Sequence, residues 1–339
     1  MATTSPTTSV LLPARDAGAT LEASLASILA QTDRDLEVVL VDDASRDRTG
    51  AIARAAAARD ARVRVLDGRG EGIVAALELA RAAARGRLLL RMDADDLAHE
   101  ERLALTRAAL DADPGAACAS SLVASFSPGA PVGLGRRQYD AWLNAHVSHE
   151  AMARVRFVES PVAHPSVLLR ADAVAAVGGY RDDPGPEDWD LWLRLFGAGY
   201  RFVKVPRVLL RWREGGARLS RTDARYEREG FAQVRARHLA RGPLANRPAI
   251  LCGAGKGGLA LARALADEGV AIAAFMDVAA RRVGGKKAGA PVHALADLVR
   301  VRRGELVVGV AGGRGARGDL RRFLLGEGLV EGEDFFLAA

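Results

Sequence analysis

The sequence predicts an α/β protein of two domains, each built on a mostly parallel sheet. Short, almost wholly apolar runs alternate with helical patterns over residues 9–96 and again from residue 249. Such alternation is the mark of βαβ units. The length of 339 residues exceeds that of a typical single domain. Between the two patterns, Arg241-Gly242-Pro243 and Arg247-Pro248 read as a linker. The expected boundaries are therefore 1–244 and 247–339.

In order along the chain, residues 9–13 form an apolar strand, and 19–31 carry helical spacing with Thr20 as N-cap. Residues 36–41 form a second strand that ends at Asp42-Asp43, followed by a helix over 47–58. A short strand at 63–66 and a helix at 73–84 lead to the apolar strand 87–92. That strand empties into Asp93-Ala94-Asp95-Asp96, and a helix is expected from about Leu97, with Asp96 as its cap or as a group behind the other two carboxylates. Residues 128–220 are less regular, with aromatics among charges, and 221–241 look helical. The second domain opens with a strand at 249–252, a Gly-rich turn at 253–258, a helix at 259–268 and a strand at 270–276.

Composition bounds the function. With 49% hydrophobic and 27% charged residues the chain reads as soluble and globular. No apolar run approaches the roughly 18 residues that span a bilayer. Residues 1–9 carry no basic group or apolar core, so no signal peptide is expected. Cys118 and Cys252 are too few for a disulfide framework, which suits a reducing cytoplasm. The net charge of +6 is spread along the chain, and only Lys204, Lys256, Lys286 and Lys287 of the 48 basic residues are lysines. Without a basic block, no nucleic-acid partner is expected; the charge is compatible with peripheral attraction to an acidic membrane surface.

The chemistry concentrates at strand ends. Three carboxylates within four positions repel one another unless a divalent cation and phosphate share the charge. Mg²⁺ and Mn²⁺ prefer such hard oxygen ligands. Asp42, Asp43, Asp93, Asp95 and Asp96 all fall at strand carboxyl ends, where α/β sheets gather ligands. Further on, Glu187-Asp188 precede a helix that begins Trp189-Asp190. Acidic groups there also suit the helix dipole, a role that fits Asp190 best. His146 and His149 read as surface residues, and Trp142, Trp189, Trp192 and Trp212 as ring-stacking faces or core.

Taken together, residues 9–220 resemble the family 2 inverting glycosyltransferases, which have the GT-A fold. The resemblance rests on SVLLPARD (9–16), LEVVLVDDASRDRT (36–49), ARGRLLLRMDADD (84–96), HPSVLLRADAVAAVGGYR (164–181) and PEDWDLWLRL (186–195). It implies that Asp42 and Asp43 hold the base and ribose of a nucleotide-sugar donor, with Pro13, Ala14 and Arg15 lining the other side. Asp93 would contact the ribose or a metal-bound water, and Asp95 the Mn²⁺ or Mg²⁺ that bridges the two phosphates. Asp188 would be the base that takes the acceptor hydroxyl proton, and Glu187 would assist acceptor placement. Gly178 and Gly179 would approach the donor sugar, and His164 and Trp189 would lie on the acceptor side. Two departures stand out. Glu78 replaces a frequent Asn, and Arg211-Trp212-Arg213-Glu214 lacks a frequent His. The third protein ligand is then Glu214, or none beyond phosphates and water. The Q-x-x-R-W signature of processive synthases is absent, which implies addition of a single sugar.

The second domain carries G-x-G-x-x-G at Gly253, Gly255 and Gly258, with Asp277 ending the next strand 19 residues later. This is the dinucleotide-binding fingerprint in its proper strand–turn–helix context. Yet about 90 residues make only half of a full two-lobed dinucleotide fold. The expectation is a Rossmann-like module that binds a nucleotide or nucleotide sugar, or that supports a homo-oligomer.

The expected activity is metal-dependent, inverting transfer of one sugar to a glycan or lipid-linked acceptor in envelope polysaccharide assembly. Two rivals stand beside it. One is a catalytically silent nucleotide-sugar sensor. The other is a sugar nucleotidyltransferase, which would need a Gly-rich basic loop where Pro13-Ala14-Arg15-Asp16 stands.

Overall fold

The apolar runs of the first hundred residues become the parallel half of an eight-stranded sheet. The computed structural model describes residues 5–215 and 223–338; the first two residues of the expected 221–241 helix lie outside them. The chain divides into two compact units. One comprises Met1–Met152, Pro161–Asp182 and Arg194–Arg218; the other comprises Ala153–Ser160, Asp183–Leu193 and Leu219–Ala339.

In the first unit the strands are β1 (Thr8–Ala14), β2 (Leu36–Asp42), β3 (Val63–Asp67), β4 (Leu88–Arg91), β5 (Leu97–Ala98), β6 (Ala116–Phe126), β7 (Leu168–Arg170) and β8 (Arg201–Arg213). Their order is β3-β2-β1-β4-β7-β6-β8-β5. Pairing is parallel from β3 through β4 and between β6 and β8, and antiparallel at β4–β7, β6–β7 and β5–β8. Helices α1 (Leu21–Leu29), α2 (Thr49–Arg59), α3 (Ile73–Ala83) and α4 (Arg102–Ala112) follow the early strands; α5 (Leu134–Ala145), α6 (His149–Val155) and α7 (Ala171–Ala176) come later. β1 and β2 are buried along their whole lengths, which explains runs without polar alternation. The registers Ala14↔Asp42 and Leu11↔Arg91 bring the ends of β1, β2 and β4 to one edge. Asp43 follows β2 directly, and Asp93 lies two residues past β4.

Three local expectations change. Leu97 and Ala98 do not open a helix. They pair antiparallel with β8, and the amide of His99 donates to Leu209 O at 2.9 Å, so α4 starts only at Arg102. Thr20 occupies the N-cap position of α1, but its hydroxyl donates to Ala17 O and caps nothing. His146 and His149 are half-buried, not surface groups. The first packs on Trp142, and the second meets the amide of Phe202 at 3.2 Å.

A buried ionic knot ties the turn after α3 to the sheet. Glu37 accepts from Ser9 Oγ (2.7 Å), Arg85 N (2.8 Å), Arg85 Nη2 (2.6 Å) and Arg64 Nη1 (3.0 Å). Gly86 fits because a Cβ there would sit 2.6 Å from Ser9 N.

In the second unit lie the first turns of α8 (Glu187–Gly197), helix α9 (Arg228–Arg241) and a six-stranded sheet. Its strands are β9 (Ala249–Cys252), β10 (Ile272–Asp277), β11 (Lys286–Lys287), β12 (Ala290–Ala294), β13 (Leu306–Gly309) and β14 (Phe335–Leu337), ordered β11-β12-β10-β9-β13-β14. All pair parallel except β11 with β12. Helix α10 (Lys256–Asp267) follows β9, α11 (Leu298–Val301) precedes β13, and α12 (Arg314–Gly326) follows it. This is the Rossmann-like α/β arrangement expected from the Gly-rich motif. Among the described residues no helix is long and apolar enough to cross a membrane.

Burial acts to raise the Glu37 carboxyl, but hydrogen bonds from Arg85, Ser9 and Arg64 outweigh it and hold it at about 2, against an ordinary 4.5. A depressed carboxyl stabilises the fold above the unfolded value and loses that contribution as pH falls through the folded one. Glu37→Gln should therefore cost about 1–3 kcal/mol at pH 7. In urea titrations its deficit against wild type should shrink between pH 4.5 and 2; a deficit constant over that range would refute the role.

Candidate functional site

The end of β4 carries the acidic cluster. One carboxylate oxygen from each of Asp93, Asp95 and Asp96 lies within 4.8 Å of the others. Such a set of hard oxygen donors suits Mg²⁺ or Mn²⁺. Two buried arginines offset the charge. Arg91, 3% exposed at the end of an otherwise apolar strand, reaches Asp93 Oδ1 at 2.6 Å. Arg102, fully buried, donates to Arg91 O at 2.7 Å and meets Met92 Sδ at 3.2 Å. Burial pulls the Arg102 guanidinium down to about 9, with the Asp96 charge acting in the opposite direction. Ser24 of α1 donates to Asp93 O at 2.8 Å and fixes the turn from below.

Asp96 is not the helix cap that its position suggests. It is fully buried, and its Oδ1 accepts from the amide of Arg213 at 2.7 Å. Arg213 Nε in turn donates to Asp95 O at 2.6 Å, with its guanidinium over the Phe126 ring at 4.7 Å. The last residues of β8 are thus fastened to the acidic turn. Glu214 pairs with Arg136 at 3.1 Å, and Arg136 lies over Trp212 at 3.8 Å. The third carboxylate beside Asp93 and Asp95 is therefore Asp96, and Glu214 is engaged in another ion pair.

At the ends of β1 and β2 the paired aspartates differ. The Asp43 carboxylate accepts from the amides of Gly70 (2.7 Å) and Gly72 (3.0 Å), with Arg15 at 3.6 Å. Both glycines have positive φ, +77° and +96°, so this carboxylate shapes a loop that L side chains disfavour. Asp42 Oδ1 accepts from Ser45 N at 3.2 Å, and its Oδ2 lies where a Cβ on Gly50 would approach to 2.4 Å. Gly50 keeps the start of α2 clear of this carboxylate. Pro13 and Ala14 are buried in β1, and Arg15 is exposed beyond it.

Gly178 and Gly179 also have positive φ, +86° and +67°. A Cβ on Gly179 would sit 2.7 Å from Glu78 Oε1, and the same carboxylate accepts from Tyr180 N at 2.7 Å while pairing with Arg81 at 2.6 Å. Glu78, a departure from the family pattern, thereby shapes the glycine turn. His164 Nε2 lies 2.9 Å from Tyr180 Oη, and both residues are buried.

Within the second unit, the structure separates the three acids at the start of α8. Glu187 is buried and accepts from Tyr226 Oη at 2.7 Å. Asp190 is buried and takes His238 Nε2 at 2.8 Å and Arg237 Nη1 at 3.3 Å. Asp188 is half-buried, and its Oδ1 accepts from Trp189 N at 2.7 Å. Burial and the Glu187 charge push the Tyr226 phenol far up, so it stays a donor. Trp189 is fully buried, and its indole N–H donates to Arg156 O at 2.8 Å. Its ring is part of the core of this unit.

In the Gly-rich turn, Gly253 has φ +127° and a Cβ there would meet Val310 O at 2.3 Å; on Gly258 it would meet Gly253 O at 1.8 Å. Gly253 clears the backbone just past β13, and Gly258 lets α10 pack closely on the turn after β9. At Gly255 the nearest atoms are the Arg282 guanidinium nitrogens at 3.9 Å. Asp277 accepts from Ala254 N and Ala279 N at 2.8 Å each and pairs with Arg282 at 2.9 Å. Burial acts to raise its carboxyl, but these bonds prevail and lower it.

Sequence reading did not single out Arg91, Arg102, Arg213, Tyr226, Arg237 or His238. For Arg91 a signal existed, a charge inside an apolar strand. For the others the partner lies from 10 to 118 residues away, and no spacing rule reaches that far.

If Asp96 fastens β8, Asp96→Ala should cost about 1–3 kcal/mol by orphaning the Arg213 amide. Asp96→Asn, which keeps the acceptor, should cost less. Equal melting losses for the two variants would count against this role.

Residues 9–178 match the model of glycosyl transferase family 2. Among curated relatives, EpsE of Bacillus subtilis is 28% identical over 233 residues, 65% of this chain and 78% of that protein. The O-antigen biosynthesis protein RfbC of Myxococcus xanthus is 32% identical over 242 residues, but this chain covers only 18% of it. Among solved structures, the mannosyltransferase PcManGT of Pyrobaculum calidifontis, in complex with GDP-Man and Mn²⁺, aligns with TM-score 0.53 and 24% identity over 70% of this chain and 64% of its own. S. aureus TarS 1–349 in complex with UDP-GlcNAc aligns with TM-score 0.56 and 18% identity over 77% and 72%. At these identities the structural likeness establishes the GT-A-like fold. The family match spans half of the sequence, including every strand end that carries the acidic cluster, and the chain belongs to glycosyl transferase family 2.

Proposed function

We propose that this protein is a metal-dependent, inverting glycosyltransferase that moves one sugar from a nucleotide-diphosphate donor to a glycan or lipid-linked acceptor in envelope polysaccharide assembly. The observation that carries this reading is the cluster of Asp93, Asp95 and Asp96 at the end of a parallel sheet, on the same edge as Asp42. Asp95, with Asp93, would hold Mn²⁺ or Mg²⁺, and the cation would offset the negative charge of the departing diphosphate. Asp42, with the backbone of Pro13, Ala14 and Arg15, holds the base and ribose. Asp43 works at one remove, by building the loop that carries Gly70 and Gly72. Gly178 and Gly179 lie on the donor-sugar side, next to Glu78, with His164 on the acceptor side.

Asp188 is the base in this reading. Glu187 and Asp190 are buried against Tyr226 and His238, whereas Asp188 is half-buried. It removes the acceptor hydroxyl proton as that oxygen attacks the anomeric carbon. The GDP-Man and Mn²⁺ bound to PcManGT, and the UDP-GlcNAc bound to TarS, favour a donor of this class. The groups that bind the donor and move the proton all lie within residues 1–244. Residues 247–339 bind a nucleotide around Gly255 or join two copies of the chain. The protein works in the cytoplasm, either free or at the membrane periphery.

A thermal-shift screen of UDP- and GDP-sugars with Mn²⁺ identifies the donor, since a ligand stabilises the native state by RT ln(1 + [L]/Kd). Calorimetry with UDP or GDP should show Mn²⁺-enhanced binding that Asp95→Ala removes; equal affinity in EDTA would exclude metal dependence. Asp188→Asn should keep that binding and lose transfer by roughly 10²-fold or more, the scale of a lost general base. Should Asp188→Asn stay active while Asp190→Asn is dead, the base is Asp190. Donor hydrolysis by the wild type separates an enzyme from a silent sensor.

A further inference from the structure

The acidic turn at the start of α8 packs into the same compact unit as the C-terminal Rossmann-like module. Three side-chain clusters hold it there. On one side Asp190 takes His238 Nε2 at 2.8 Å and Arg237 at 3.3 Å, and Arg237 also reaches Asp183 and Pro184 O at 3.4 Å each. On another, Tyr226 donates to Glu187 at 2.7 Å. Beneath both, the Trp189 ring lies 5.5 Å from Phe231 and 4.9 Å from the Arg235 guanidinium. Arg156, whose carbonyl accepts the Trp189 indole N–H, spreads its guanidinium over Phe336 of β14 at 5.2 Å, and Phe157 meets Phe336 edge-on at 5.5 Å. Backbone contact is equally close. A Cβ on Gly185, at φ +104°, would fall 2.5 Å from Gly230 O in α9.

These clusters leave the residue between them little freedom. Glu187, Trp189 and Asp190 are each fixed by a buried partner, so the peptide planes flanking Asp188 are fixed too. We propose that His238 is a positioning residue for the transfer reaction, and that the C-terminal module, through Phe336, is part of the scaffold that aims Asp188. The proposal rests on Asp188 being the base. His238 touches neither substrate nor reacting atom; it acts by anchoring Asp190 from α9. A general base is effective only when held within hydrogen-bond reach of its proton, and a displacement of about 1 Å can cost roughly 10²-fold. The module is then required for turnover even where it binds nothing.

The test uses the full chain with His238→Ala, His238→Gln and Phe336→Ala. The probes are UDP-glucose, UDP-N-acetylglucosamine and GDP-mannose with Mn²⁺, read by release of the nucleoside diphosphate. His238→Ala should lower turnover by roughly tenfold or more while UDP or GDP affinity stays within about twofold, the signature of a lost transition-state contribution. His238→Gln, which keeps a donor for Asp190, should recover most of that loss. Hydrogen exchange supplies a readout without substrate. Amides of residues 187–193 should lose protection in His238→Ala and Phe336→Ala, and those of residues 88–96 should not. Unchanged exchange at 187–193, full turnover in His238→Ala, or parallel losses of turnover and nucleotide affinity would each overturn the proposal. Asp188→Asn run alongside keeps the two readings apart. If it is inactive and His238→Ala is fully active, the base stands and the scaffold falls. If it is active, the base itself is wrong.

Discussion

Like charges forced together at the end of β4 are the constraint around which the first unit is arranged. Asp93, Asp95 and Asp96 lie within 4.8 Å of one another, a distance at which carboxylates in a low-dielectric setting strongly oppose shared ionisation. The fold offsets this in two ways. Arg91 and Arg102 place positive charge beneath the turn, one paired with Asp93 and the other donating to Arg91 O. The amide and guanidinium of Arg213 then take up Asp96 Oδ1 and Asp95 O. Arg102 accepts desolvation severe enough to bring it down to about 9, and a neutral residue there would leave the turn without that compensation.

The same physics distinguishes carboxylates that look equivalent in the sequence. An aspartate at a strand end can face a ligand or accept amide protons from its own chain, and one oxygen does not readily do both. Asp43, Asp47, Asp96 and Asp277 each accept backbone amides, and they build the loops around the edge of the two sheets. In the second unit Glu187 and Asp190 are drawn into buried contacts with Tyr226 and His238. Glycine does matching work. Gly50 clears space beside Asp42, Gly179 beside Glu78 and Gly258 beside Gly253.

What the sequence by itself determined was the run of β-strands and the acidic residues that end them. Apolar strands buried on both faces need no partner information to be recognised, because their burial is written as an unbroken hydrophobic run. The Gly-rich motif was equally legible, since a positive φ at Gly253 and a close contact at Gly258 admit no other residue. Tertiary structure decided what each charged group does. Leu97 and Ala98 became a strand because β8, more than a hundred residues later, offered them a ladder. Asp96 serves Arg213 and not the helix after it, and Asp190 belongs to His238. What packs behind the start of α8 was also beyond reach of the sequence, since Arg156 meets Trp189, and Phe336 meets Arg156 and Phe157, only in the folded chain. Local pattern encodes burial and backbone conformation, which are properties of a few neighbouring residues. A carboxylate's partner is settled by long-range geometry and by the cost of leaving a buried charge unmatched.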